Sequence, residues 1–134
     1  MMKLHEQIRM PNGLTAEVHD LSREIAANTV RVEMIIRIPV ALRPDDFSEP
    51  SRFEKTRAVF GEEIVFERRL ERSFVLSEQK DDVFRTLLST FKQTTLPYLS
   101  GSEFRTRFAE SKYREILLNP YKYRHRQDNS TVSA

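Results

Sequence analysis

The chain's patterning predicts an α+β fold: a largely antiparallel four-stranded sheet, its first three strands a meander, covered on one face by C-terminal helices. One change of period predicts it. Apolar residues alternate with polar ones through residues 4–40 and again through 64–74, as strands with one buried face require, and from Ser77 onward they recur at helical spacing. Strands followed by helices, without a βαβ alternation, define the class.

Leu4, Ile8 and Met10 share one parity, as do Leu14, Ala16 and Val18, and Pro11-Asn12-Gly13 lies between them. A three-residue loop, with Pro and Asn in a type I turn and Gly in the left-handed position, pairs Met10 with Leu14 and Ile8 with Ala16. A two-residue loop would put the apolar sets on opposite faces, so burial selects the longer one. The next strand alternates from Val30 to Val40 and is expected to be central. A bulge near His19-Asp20 and a tight turn at Ala27-Asn28 would set Ile25 against Val30, Leu21 against Met34, Val18 against Ile36 and Ala16 against Ile38.

Ser48 or Ser51 can cap a short helix running through Phe53, Ala58 and Phe60 to the stop at Gly61. Ile64, Phe66, Leu70 and Phe74 then share a parity that Arg68 and Arg72 interrupt, which marks a long strand near an edge, beside either the third strand or the first. Val83, Phe84, Leu87, Leu88 and Phe91 form the stripe of the main helix, with Ser77 as its cap. Leu96-Pro97 and Gly101 end it, and Ser102 caps a final helix through Phe104, Phe108, Ile116 and Leu117 to Asn119-Pro120. The expected core is Ile8, Val18, Val32, Met34, Ile36, Ile38, Phe66, Phe84, Leu87, Leu88, Phe91, Phe108 and Ile116. Residues 1–120 form a single domain in this reading, and 121–134 a disordered basic and polar tail.

With 134 residues, 39% of them hydrophobic and nine of them Phe, the chain has material for one core. The absence of Cys removes thiolate nucleophiles, disulfides and Cys-type zinc sites together, which fits a cytoplasmic location. No stretch approaches the roughly 18 apolar residues of a membrane span, and the first residues carry no apolar run, so neither export nor membrane insertion is expected. A net charge of +2 creates no broad basic field for nucleic acid.

The run Pro11-Asn12-Gly13-Leu14-Thr15, followed by Asp20-Leu21-Ser22-Arg23 and later by Phe66-Glu67-Arg68 and Phe74, resembles a group of small bacterial proteins that carry no assigned activity. The resemblance implies a bacterial source and no chemistry.

In the hairpin register above, His5 opposes His19 and Gln7 opposes Glu17 on the outward face. Opposed Cβ atoms lie about 5 Å apart, so the two imidazoles, with Glu17 or Glu33 adding a carboxylate, compose a candidate shell for a divalent transition metal. Solvated strand residues are the plainer explanation. Ile35, Val65 and Val75 fall on the same face and need cover, either from the segment around 45–53 or from a second copy, which makes a homodimer the expected assembly. Glu67, Arg68, Arg69, Glu71 and Arg72 read as a ladder of cross-strand ion pairs. Tyr121–Arg126 interleaves aromatics with bases, a composition that can stack on single-stranded nucleic acid, though two Tyr packing on the last helix explain it as well. No Gly-rich phosphate loop, Gly-x-Ser-x-Gly elbow or His-Glu-x-x-His motif occurs. The leading expectation is therefore a non-catalytic, cytosolic interaction module, homodimeric through its sheet face. Metal binding at His5 and His19, and nucleic-acid contact through the tail, are the alternatives.

Overall fold

The computed structural model describes residues 2–123. Its strands are β1 (Lys3–Arg9), β2 (Thr15–Asp20), β3 (Arg23–Ala26), β4 (Thr29–Ala41) and β5 (Glu63–Leu76), and its helices are α1 (Pro50–Phe60), α2 (Lys80–Thr94), α3 (Leu96–Leu99) and α4 (Phe104–Leu118). The fold is α+β, with an open antiparallel sheet and C-terminal helices. Two compact units divide the chain: Met1–Ile38 with Phe66–Gly101, and Pro39–Val65 with the chain from Ser102 onward. β4 and β5 contribute residues to both.

The first unit is built on the hairpin tip. Met10 N–H donates to Leu14 O at 2.9 Å, Gly13 N–H donates to Met10 O at 3.0 Å, and Gly13 takes φ 87°, so three residues close the turn as burial demanded. Ile8 faces Ala16 and Gln7 faces Glu17. Asn12 does more than turn the chain: its Oδ1 accepts from Leu14 N–H at 3.1 Å, and its Nδ2 donates to the carbonyls of Leu99 and Gly101 at 2.9 and 3.0 Å. Leu99 is the last residue of α3 and Gly101 follows its cap, so one side chain satisfies a helix-terminal acceptor and ties the end of α3 to the hairpin.

β4 is the central strand, hydrogen-bonded to β2, β3 and β5. The strand expected second is broken in two. Asp20 Oδ1 accepts from Ser22 N–H at 2.8 Å, Ser22 Oγ accepts from Glu33 N–H at 3.1 Å, and Leu21 N–H donates to Glu33 O at 2.9 Å. This local side-chain bonding competes with the ladder and ends β2. Val18 faces Ile36 as expected, but Asp20 rather than Leu21 faces Met34, and Glu24 rather than Ile25 faces Val30. A second irregularity between Glu24 and Ala26 leaves Ile25 exposed.

β5 lies beside β4, which settles the open placement of the last strand. Arg31 pairs with Glu71 at 2.6 Å, Glu33 with Arg69, and Arg37 with Glu67 at 3.2 Å, partners that descend along β5 as β4 ascends, the mark of an antiparallel pair. Glu33 is 5% exposed and Ile35 6%, so β4 is buried on both faces: Val32, Met34 and Ile36 fill one, while Glu33 and Ile35 lie on the other in the strip of the ion-pair ladder. Ile35 is thus not the exposed aliphatic that strand parity alone suggested. α2 buries Phe84, Leu87, Leu88 and Phe91 of the predicted stripe and leaves Val83 half-buried. Its approach is preceded by a 3-10 turn at Ser77–Gln79, so Gln79 and not Ser77 occupies the cap position. Among the expected core residues Ile8, Phe66 and Phe108 are half-buried, and the rest are buried.

In the second unit, Pro50 occupies the first turn of α1, where its missing N–H costs nothing, and Gly61 at φ 87° ends the helix; neither Ser48 nor Ser51 caps it. Likewise Glu103, not Ser102, precedes α4. Arg52 bridges to Glu110 at 3.1 Å, and Arg105 Nε donates to Asp46 Oδ2 at 3.1 Å while its second guanidinium nitrogen donates to Ala41 O.

Residues 120–123 form a helical turn after Asn119, and Tyr123, 3% exposed, packs with Val59, Ile116 and Phe60. The segment expected as a disordered tail from 121 is therefore helical through 123 and anchored by Tyr123; residues 124–134 lie outside the described residues. The Tyr123 hydroxyl donates to Glu115 Oε1. This bond, joined by Lys112 at 3.4 Å, holds the Glu115 carboxyl below its ordinary range against the opposing effect of burial, and the same bond together with burial raises the Tyr123 hydroxyl. A lowered carboxyl contributes stability above pH 4.5 that is lost as the pH falls through its native value; a raised phenol contributes below pH 10.0 and loses it as the pH rises through its native value. Thermal unfolding of Tyr123→Phe should therefore lie furthest below the native protein near neutrality, with the gap closing in acid and in alkali. A gap independent of pH would contradict this.

Candidate functional site

β5 and α2 enclose a groove of about 590 Å³ within the first unit. Its apolar lining comes from Leu70, Val75, Val83, Leu87 and Phe91, and its polar lining includes Arg68, Arg72 and the threonines at 86, 90 and 94. The threonines recur every fourth residue, so they form one row along α2. α2 engages the β1 side of the sheet through the His5–Phe84 ring contact at 4.8 Å and the Lys92–Glu6 bridge at 2.8 Å. Leu70 of β5, on the other side of β4, lines the open groove.

Strand parity sorts the charges of β5. Glu67, Arg69 and Glu71 pair across to β4, whereas Arg68 and Arg72 share the other face with Leu70 and line the groove. Among the described residues no carboxylate pairs with Arg68 or Arg72; Arg72 donates only to the carbonyl of Glu71, at 2.9 Å. The one acidic lining residue, Asp82, is met by Arg85 at 3.2 Å. The reading of all five as a cross-strand ladder thus holds for three. The signal that separates the other two is in the sequence: both interrupt the apolar parity of β5.

Phe74 ends this regularity. Its φ of 59° is a left-handed conformation that an aromatic residue rarely adopts, at a cost of about 1–2 kcal/mol. The kink reverses the parity, so the Phe74 ring, expected inward, is 81% exposed, and Val75, expected outward, is buried and lines the groove.

The residues considered for a metal are not assembled as expected. The β1–β2 register shifts between Leu4 and Glu6, so His19 faces Leu4, and the His5 ring makes a T-shaped contact with Phe84. His19 is 9% exposed with Nε2 3.1 Å from Glu17 Oε1. Glu33 is engaged by Arg69, with Arg31 at 3.8 Å. Among the described residues no group of three or more His, Asp or Glu could hold a metal ion. Of Tyr121–Arg126, Tyr121 is exposed, Tyr123 is buried, and 124–126 lie outside the described residues. No described helix is long and apolar enough to cross a membrane.

Comparison of the chain with family models, curated proteins and solved structures returns no match.

Proposed function

We propose that the chain is an interaction module that holds an extended ligand in the groove between β5 and α2. The observation that carries this is the composition of the groove: an apolar floor bordered by two arginines without carboxylate partners among the described residues, the combination of burial and oriented polar groups by which ligand sites bind and discriminate. Its volume falls in the range of such sites. The strained, outward-facing Phe74 at its end adds an exposed aromatic of the kind that anchors interfaces.

Selection from a displayed library of random short peptides tests the reading. Thr90 is exposed on α2 and lines the groove, so Thr90→Trp fills it without disturbing the buried stripe. Peptides selected on the native protein should lose about tenfold or more in affinity for the Thr90→Trp variant, a change of roughly 1.4 kcal/mol. No enrichment, or equal binding to both proteins, would overturn it.

A further inference from the structure

Resting on that reading, we infer that the groove's occupant is an acidic segment of a partner protein that adds to β5 as a further strand. β5 is hydrogen-bonded to β4 along one edge, and among the described residues no strand pairs with its other edge, which leaves a row of backbone donors and acceptors beside the groove. Strand addition next to a helix uses such an edge for affinity and the adjoining pockets for selectivity.

The side chains specify what is added. Arg68, Leu70 and Arg72 lie on one face at alternate positions, so the two arginines stand roughly 13 Å apart along the strand. One small anion does not span that distance. An extended segment does, because its own alternate side chains repeat at the same interval: carboxylates at two positions four apart meet the two guanidiniums, and an apolar side chain midway meets Leu70. The preferred pattern is acidic-x-apolar-x-acidic. Guanidinium and carboxylate pair through two parallel hydrogen bonds, which fixes register as well as sign.

Fluorescence anisotropy with a labelled Glu-Thr-Leu-Thr-Glu peptide, capped at both ends, tests this on the full chain. Arg68 and Arg72 are exposed, so Arg68→Glu/Arg72→Glu should leave the fold intact, with Arg68→Gln/Arg72→Gln as a milder second variant and circular dichroism as the check on both. The expected result is a loss of at least about tenfold in affinity with the charge-reversed protein, and recovery when that protein meets the Lys-Thr-Leu-Thr-Lys peptide. Methylating the peptide's alternate amide nitrogens should abolish binding, since it removes strand donors and keeps the side chains. Equal binding by native and charge-reversed proteins, no rescue, or full affinity of the methylated peptide would overturn the inference. So would Arg-dependent binding of a single-stranded oligonucleotide or a fatty acid in place of the peptide. Library peptides that need an open groove but carry no acidic pattern and ignore both arginine variants would sink this inference alone; a library that yields no groove-dependent binder sinks the proposed function with it.

Discussion

Arg105→Ala is expected to cost about 3 kcal/mol or more in unfolding free energy, the largest effect of any single charge removal in the second unit. The Asp46 side chain is 6% exposed and its carboxylate takes the Arg105 Nε–H; the same guanidinium also satisfies the Ala41 carbonyl. Truncating the arginine leaves a buried carboxylate without its cation and a carbonyl without its donor, which costs far more than the intact pair contributes. Two controls separate these effects. Asp46→Asn with Arg105 retained should be milder, and Asp46→Leu with Arg105→Met should recover much of the loss, because no buried charge remains. Denaturant unfolding measures all three, and an Arg105→Ala protein within about 1 kcal/mol of native would contradict the reading.

The second large effect is expected at Ile35. Strand parity alone marks it as an outward aliphatic, for which Ile35→Glu would split a dimer and leave the fold intact. Its burial on β4, opposite His19 and next in parity to the buried Glu33, predicts otherwise. A carboxylate there would be desolvated beside an existing one, at a cost of about 3 kcal/mol or more, while Ile35→Val should cost about 1 kcal/mol. Loss of secondary structure on circular dichroism is the expected outcome for Ile35→Glu. A fully folded variant whose only change is a lower mass in light scattering would contradict this account.

How far the sequence spoke depended on whether apolar parity was present locally. At the hairpin tip Ile8, Met10, Leu14 and Ala16 constrain the register, and the turn forms with the three residues expected. Nearer the start only Leu4 is apolar among residues 3–7, so nothing in the pattern penalises a shift, and a bulge at His5 dissolves the cross-strand histidine pair. The class of fold, the central position of β4 and the apolar stripe of α2 were legible because each rests on a long, strongly periodic segment. The groove was not, because it depends on where a helix settles across a sheet, and a sequence period names a helix's buried face without naming the strands beneath it. Arg68 and Arg72 were visible as interruptions, though their meaning required that placement. Phe74 misled for a backbone reason: parity arguments assume extended φ throughout, and one left-handed residue inverts every orientation after it.

That residue also imposes a yardstick on anything laid along β5. Successive amides stay collinear only while the strand runs straight, so a docked segment finds in-line partners up to Ser73 and none in register past the turn at Phe74. The backbone itself thus caps how many residues the edge can grip, and longer guests gain reach there without gaining hold.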